Sequence, residues 1–364
     1  MFHRHFLFLA AAIAAALPAL AFATDTTLAE NPVPTKPADN PPHIALLLPL
    51  SADAFRQPAE VVRQGFLAAA KVEADAPTVR VYPTTDDTAN ILAVYGQALA
   101  LGAKVVVGPL TRNAVSALAL SEQVSVPTLS LSTPDQENLS IPPLLYLFGL
   151  SIEEEARQVA ELAAREGYRK PLIAAADSPL AKRMQTAFAE QWRNRGQALA
   201  GQVRFAMKGD LSTLRGAVQK LDADVIFLAA NAQEARTVRP YLASILPTYG
   251  TSQTFAGRAQ DPRNVDLAGM RFIDMPWLLQ PDHPAVMIYP RAETALSAEL
   301  ERLYALGIDA LRLASQLYRN PASTAPALDG VTGKLTMSPG HQFQRELVTA
   351  EFQQDSVVVI DPEP

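Results

Sequence analysis

Two short polar segments of the chain hold the side chains best suited to binding a small ligand. One is 108–113, with the sequence GPLTRN, and the other is 128–134, with the sequence TLSLSTP. Each continues from a short apolar run that predicts a buried strand, and ligands of parallel sheets lie beyond the carboxyl ends of such strands, often at a helix N-terminus. Hydroxyl, amide, guanidinium and free backbone N–H groups can hold a carboxylate there. The candidate cleft contacts are Thr111, Arg112, Asn113, Ser130, Ser132 and Thr133.

A purely structural interpretation of the same residues is also open. Thr111 has the residue type and the position of a helix N-cap, and a run of serine and threonine residues commonly ends a strand. Residue types alone favour this structural interpretation over a ligand site.

The motifs of the common enzyme classes are missing from the sequence. It contains no phosphate-binding loop, no G-x-G-x-x-G dinucleotide fingerprint, no H-E-x-x-H zinc helix and no G-x-S-x-G nucleophile elbow. The chain has 0 cysteines and 5 histidines, and the three histidines beyond the N-terminal segment lack the spacing of metal ligands. We therefore expect a protein that is not an enzyme and that uses no cofactor and no metal.

Three consecutive carboxylates, Glu153–Glu155, follow Ser151. Ser151 and Glu154 have the spacing of a capping box, and negative charge is favoured at a helix N-terminus. We interpret the three glutamates as residues that begin a helix rather than as a catalytic cluster.

The elements that position these side chains follow from the apolar pattern. From His43 onward, short apolar runs such as Ile44–Leu48 alternate with stretches of helical periodicity, and the plan occurs twice. Strands that are apolar at every position are typical of a parallel sheet covered on both faces. The fold class predicted is α/β, with two lobes, each a parallel sheet flanked by helices, and a cleft between them. A long helix is expected over 292–318, and 330–336 with 349–360 are expected to form a β-hairpin.

The N-terminal region is predicted to direct export. Residues 1–23 combine a basic residue, an apolar run and an Ala-Phe-Ala ending, as a cleaved signal peptide does. Residues 24–42 are rich in proline and poor in apolar side chains, which predicts a flexible tether. The expected location is the periplasm, with no lipid-anchor cysteine and no transmembrane segment in the mature chain.

Length and composition agree with this organisation. The chain has 364 residues, of which 49% are hydrophobic, as in a packed protein of one large or two medium domains. A formal net charge of -6 without a basic cluster argues against a nucleic-acid partner. The predicted boundaries are 1–23 for the signal peptide, 24–42 for the tether, 43–147 plus 281–325 for the first lobe, and 148–280 plus 326–364 for the second.

Several motifs in these elements resemble a known family. Ile44–Leu50, Gln64–Ala69 and Val106–Leu110 are similar to motifs of the type I periplasmic binding protein fold. Segments further along resemble the LppC-type penicillin-binding protein activators and occur in the same order: Gly269–Phe272, Arg302–Ala310 and Gly330–Leu335. The resemblance covers about residues 43–360.

This resemblance implies a catalytically inert domain that binds a bifunctional class A penicillin-binding protein and stimulates peptidoglycan synthesis. Members of the family it resembles are usually outer-membrane lipoproteins with a large helical-repeat domain before this one. The present sequence has no cysteine to acylate, and the proline-rich segment 24–42 precedes the domain. The expected partner is accordingly a class A penicillin-binding protein.

The alternative is a periplasmic solute-binding protein for an amino acid or a similar small carboxylate. Amino-acid binders with the fold it resembles typically have Tyr-Gly soon after the first strand of the second lobe, where this chain has Asp177–Leu180. The hydroxyl groups of Thr111, Ser130 and Ser132 keep this alternative open.

Overall fold

The computed structural model describes residues 40–136, 138–242, 246–320 and 327–360. The predicted signal peptide and all but the last residues of the predicted tether lie outside these ranges. The strands, in chain order, are β1 (His43–Leu48), β2 (Val79–Pro83), β3 (Ala103–Val107), β4 (Thr128–Ser130), β5 (Leu145–Leu147), β6 (Pro171–Ala176), β7 (Gly201–Phe205), β8 (Val225–Ala229), β9 (Thr248–Gly250), β10 (Met270–Asp274), β11 (Leu328–Gly330), β12 (Gly333–Met337), β13 (Phe343–Glu346), β14 (Val348–Phe352) and β15 (Val357–Val359). The α-helices are α1 (Arg56–Val72), α2 (Thr88–Ala100), α3 (Arg112–Leu120), α4 (Ile152–Arg165), α5 (Pro179–Asn194), α6 (Ser212–Gln219), α7 (Ala232–Leu242), α8 (Pro276–Leu279), α9 (Pro284–Met287) and α10 (Ala298–Arg319).

The first sheet has the strand order β2-β1-β3-β4-β5, and its strands all run parallel. Helices α1 and α10 cover one face, where Ile44, Val62 and Ile308 share a buried cluster. Helices α2 and α3 cover the other face, where Ala45 and Val115 share a second cluster. Strand β1 is therefore buried at all 6 positions, which explains why Ile44–Leu48 is apolar throughout.

The second sheet has the order β15-β14-β10-β9-β8-β6-β7. Its strands from β10 to β7 are parallel, whereas β14 and β15 pair antiparallel at the opposite edge. Side chains of α4, α5, α6 and α7 pack with this sheet in one large buried cluster. The predicted fold class, an α/β protein with parallel sheets flanked by helices, is confirmed.

The C-terminal segment does not form the predicted β-hairpin. Strand β12 pairs with β11 and β13 in a small antiparallel sheet, whereas β14 joins β10 and β15. The two parts separate because they bury side chains in different places. Leu335 and Phe343 lie in the cluster under α1 and α10, whereas Ala350 and Phe352 lie in the cluster of the second sheet.

Within the described residues, the chain crosses between these two clusters at three places. It crosses after β5, again between Asp274 and Met275, and finally at Leu347 between β13 and β14. Below, the first lobe is the part of the described chain that packs in the cluster under α1 and α10, and the second lobe is the part that packs on the second sheet. The boundaries at 147/148, 280/281 and 325/326 stay a prediction; they assign 326–364 to the second lobe, whereas the side chains of β12 and β13 pack with the first.

Helices α1 and α10 lie very close together because each has a glycine where they cross. A Cβ atom added to Gly307 would lie 2.7 Å from the backbone nitrogen of Phe66. A Cβ atom added to Gly65 would lie 2.8 Å from the carbonyl carbon of Tyr304. Both distances are shorter than a Cβ atom tolerates, so any side chain here would push one helix away from the other.

The carboxylate of Asp309, in the middle of α10, holds the turn between β11 and β12. It accepts hydrogen bonds from the backbone N–H of Val331 (3.1 Å) and Thr332 (2.8 Å) and from the Thr332 hydroxyl (2.6 Å). A Cβ atom on Gly330 would lie 2.6 Å from Asp309 Oδ2. These contacts join two of the segments on which the resemblance rests.

Candidate functional site

The predicted contacts on the first segment lie at the N-terminus of α3. Thr111 occupies the N-cap position with extended backbone, but its side chain makes no capping hydrogen bond. Its hydroxyl instead donates to Asp86 Oδ1 at 2.8 Å, and Asn113 is exposed on the first turn. Thr111 is therefore at the N-cap position, as the structural interpretation expects, but its hydroxyl binds Asp86 and does not cap the helix.

Arg112 lies at the centre of a row of alternating charges. Its Nε donates to Asp135 Oδ1 at 2.9 Å, and its Nη2 donates to the carbonyl of Pro134 at 3.1 Å. On its other side, Glu153 of α4 is 3.7 Å away and also accepts a 2.7 Å hydrogen bond from Arg183 of α5. Partial burial opposes ionisation of Glu153, but the hydrogen bond and charge of Arg183, together with hydrogen bonds from Ser151 and the backbone, outweigh it and keep the pKa of that carboxyl below its usual value.

The second segment lies beside the first but turns its hydroxyl groups inward. Ser130 is fully buried at the end of β4, and its hydroxyl lies 2.9 Å from the carbonyl of Ser132 and 3.2 Å from that of Tyr146. Ser132 and Thr133 follow it and are half-buried. The backbone N–H of Asp135 donates to Ser116 of α3 at 2.9 Å, which fastens this segment to the helix. The structure thus brings the two segments together, with Thr111, Arg112 and Ser130 bound to groups of the same chain.

A second polar arrangement, buried between the lobes, was not predicted from the sequence. Arg302 of α10 and Asp274 at the end of β10 form a bidentate ion pair, with distances of 2.6 and 3.1 Å. Arg302 Nη2 also donates to the carbonyls of Ser252 (2.8 Å) and Phe255 (3.1 Å). Burial opposes the charge of Arg302, but the Asp274 carboxylate, together with the charges of Glu155 and Glu299, outweighs burial and raises the pKa of the guanidinium.

The arrangement continues from Ser252 to α4 and β13. The Ser252 hydroxyl donates to Glu155 Oε2 at 2.6 Å, and the Ser252 backbone N–H donates to the same oxygen at 3.2 Å. Arg345 of β13 donates to Glu155 Oε1 at 3.4 Å. Burial raises the pKa of Glu155, and the charge of Arg345 only partly opposes it. We call Asp274, Arg302, Ser252, Glu155 and Arg345 the buried polar chain.

The interpretation of the three glutamates as helix-start residues covers only part of their role. Ser151 accepts a capping hydrogen bond from the Glu154 N–H at 3.2 Å, as predicted. Glu155, in contrast, is 3% exposed and joins α4 to two other elements. A sequence signal for the buried polar chain is visible in α10, because Arg302 is a charged residue on a helix face that is otherwise largely apolar.

A cavity of about 310 Å³ lies elsewhere, along β7 and α6 of the second sheet. Its lining includes Arg204, Phe205 and Asp210 and none of the predicted contacts. Across the described residues, no group of three or more His, Asp or Glu side chains is arranged to bind a metal ion. In the same parts of the chain, no helix has the length and apolar composition needed to cross a membrane.

The two sheets, their flanking helices and the three crossings define a protein of the periplasmic-binding-protein-like class. The chain belongs to the LppC lipoprotein family, whose model matches residues 33–214 and 206–355. The resemblance inferred from the motifs is thereby confirmed.

Two curated relatives of the chain have the same name. A protein of Photobacterium profundum is 27% identical in an alignment 347 positions long, which covers 86% of this chain and 56% of the relative. A protein of Vibrio cholerae is 29% identical in an alignment 349 positions long, which covers 85% of this chain and 57% of the relative. Both are named penicillin-binding protein activator LpoA. The chain therefore spans a little over half the length of these relatives.

Solved structures of two kinds are similar to this fold. The C-domain of LpoA from Haemophilus influenzae, described as a regulator of PBP1A, has a TM-score of 0.74 at 25% identity, covering 87% of this chain and 99% of that one. A protein of Chromobacterium violaceum, described as a branched-chain amino acid ABC transporter, has a TM-score of 0.74 at 39% identity, covering 85% of this chain and 99% of that one.

Proposed function

We propose that this chain is a non-catalytic periplasmic domain that binds a class A penicillin-binding protein and stimulates peptidoglycan synthesis. The observation that carries the proposal is the similarity to penicillin-binding protein activators over about 85% of the chain. The matched part corresponds to the C-domain of the activator from Haemophilus influenzae. The predicted signal peptide 1–23 supports export to the compartment where such a partner works.

The geometry of the predicted contacts supports a protein-binding role over a solute-binding one. Thr111, Arg112 and Ser130 are engaged with Asp86, Asp135 and backbone carbonyls. A ligand carboxylate would have to displace these internal partners, and each lost hydrogen bond would reduce its affinity.

The test is a glycan-polymerisation assay with the class A penicillin-binding protein of the same organism. Adding the purified chain at micromolar concentration is expected to raise the polymerisation rate several-fold, because an activator that binds the synthase shifts it towards its active state. An unrelated two-lobed solute-binding protein at the same concentration serves as the control. An unchanged rate, together with no binding of the synthase to the immobilised chain, would contradict the proposal.

The second candidate function is binding of an amino acid or a similar small carboxylate. It is favoured by the 39% identity to the Chromobacterium violaceum protein, which is described as a branched-chain amino acid ABC transporter. A ligand that binds only the folded state at 100 times its Kd adds about 2.7 kcal/mol to the free energy of unfolding, so it raises the melting temperature by several degrees. If the activator role is right, we expect no such shift with amino acids, short peptides or muropeptide fragments. A reproducible rise with one of them would favour the second candidate.

A further inference from the structure

The buried polar chain connects elements that pack on different sheets. Arg302 lies on α10, which covers the first sheet, whereas Asp274 ends β10 and Ser252 follows β9 of the second sheet. Arg345 lies on β13 of the small sheet that packs with the first-lobe core, whereas Glu155 lies on α4 of the second lobe. Both arginines therefore reach from one lobe to a carboxylate of the other.

Side chains of the second lobe make hydrogen bonds to the backbone at two of the three crossings. Gln158 of α4 donates to the carbonyl of Arg345 at 2.7 Å and accepts from the N–H of Leu347 at 3.1 Å, so it binds both sides of the last crossing. At the second crossing, Asp274 Oδ1 accepts from the N–H of Met275 at 2.8 Å. Backbone rotation at these crossings would break side-chain hydrogen bonds as well as the ion pairs.

The lobes also touch closely next to the buried polar chain. A Cβ atom added to Gly257, which follows the second-lobe segment around Phe255, would lie 2.9 Å from the Cβ atom of Ala298. Ala298 is the first residue of α10. Backbone of the second lobe is therefore in direct contact with the helix that carries Arg302.

Separating the lobes would leave buried charged side chains without their partners. Arg302 is 5% exposed, Asp274 is 1% exposed and Arg345 is 6% exposed, so none of them is already solvated in the structure. Breaking a buried ion pair leaves uncompensated charge and is strongly unfavourable, whereas the pair of Arg112 and Glu153 is partly exposed and 3.7 Å apart, so it contributes less. The buried pairs, not the exposed row, therefore determine whether the lobes can move apart.

We propose that the buried polar chain locks the two lobes into one rigid body, so that they do not open and close about their crossings. This concerns the motion of the lobes and goes beyond the choice of partner. A surface that extends over both lobes is then preformed, and no ligand is needed to assemble it.

The test uses the absence of cysteine from the sequence. Gln97→Cys on α2 and Thr186→Cys on α5 place one exposed thiol on each lobe for nitroxide labels. Double electron–electron resonance is expected to give one narrow distance distribution. Its mean should stay within about 2 Å when 1 M salt or a mixture of amino acids is added, since high salt screens exposed pairs and spares buried ones.

Variants in the labelled chain identify the cause. Arg345→Met removes the contact with Glu155 and is expected to broaden the distribution or add a longer distance. Arg271→Met is the matched control, because Arg271 pairs with Glu166 (2.7 Å) and Glu351 (3.1 Å) inside the second lobe, and it should leave the distribution unchanged.

Two results would overturn the proposal. One is a wild-type distribution with two populations, or one that shifts with salt or amino acids. The other is an Arg345→Met protein that folds and gives the wild-type distribution. If Arg345→Met does not fold, the wild-type measurement alone decides.

Discussion

Replacing Arg302 with alanine is expected to lower the free energy of unfolding by about 3–5 kcal/mol. The substitution leaves the Asp274 carboxylate buried without its counter-ion, and it removes the donor that serves the carbonyls of Ser252 and Phe255. An unpaired charge and unpaired carbonyls in a buried site each carry a desolvation cost. Urea unfolding followed by circular dichroism measures the change as a shift in the midpoint.

The matched control for this prediction is Arg56→Ala. Arg56 also pairs with an aspartate at 2.6 Å, but its side chain is 61% exposed and that of Asp53 is 92% exposed. We expect this control to change stability by less than about 0.5 kcal/mol. If Arg302→Ala costs no more than the control, the buried pair does not hold the lobes as described.

Gly307→Ala is expected to destabilise the protein by about 2–3 kcal/mol. The added methyl group would meet backbone atoms of α1, among them the nitrogen of Phe66 at 2.7 Å, and a backbone cannot rotate away as a side chain can. Helix propensity predicts the opposite sign, since alanine in a helix is favoured over glycine by about 1 kcal/mol. Thermal and urea unfolding should both show the loss.

Gly96→Ala is the control that separates these two effects. Gly96 lies within α2, and no atom is found within 4 Å of a Cβ added there. Propensity acts alone at this site, so we expect a gain of about 0.5–1 kcal/mol. Stabilisation by both substitutions would mean that α1 and α10 can move apart without cost.

The sheets could be predicted from the sequence because a strand that is buried on both faces is apolar at consecutive positions, and this pattern is visible in each strand separately. Ile44–Leu48 and the run at 171–176 are apolar throughout, and only a parallel sheet covered by helices needs that. The partners of β12 and β14 could not be predicted. Both stretches are compatible with a local hairpin, and their separation depends on which distant core has room for Phe343 and Phe352.

The sequence predicts that the two polar segments lie side by side, but it does not predict which groups their side chains bind. The strand exits after β3 and β4 do lie together, as the rule for parallel sheets requires. The partners of Arg112 could not be foreseen, because Asp135 reaches it only where the segment after β4 packs on α3, and Glu153 only where α4 lies against the first lobe. The same holds for Glu155, since a glutamate in the first turn of a helix has a sufficient local explanation in the helix dipole.

The close crossing of α1 and α10 also determines the order in which the first lobe can be completed. Helix α1 follows the first strand of the chain, whereas α10 comes after every strand of both parallel arrays. A nascent chain therefore exposes the face of α1 that carries Val62 and Phe66 until nearly all of the protein has been synthesised, and contacts so distant in sequence form slowly. A chain that ends before Ser297 would retain all five strands of the first sheet and would still lack one of the two helices that cover one of its faces.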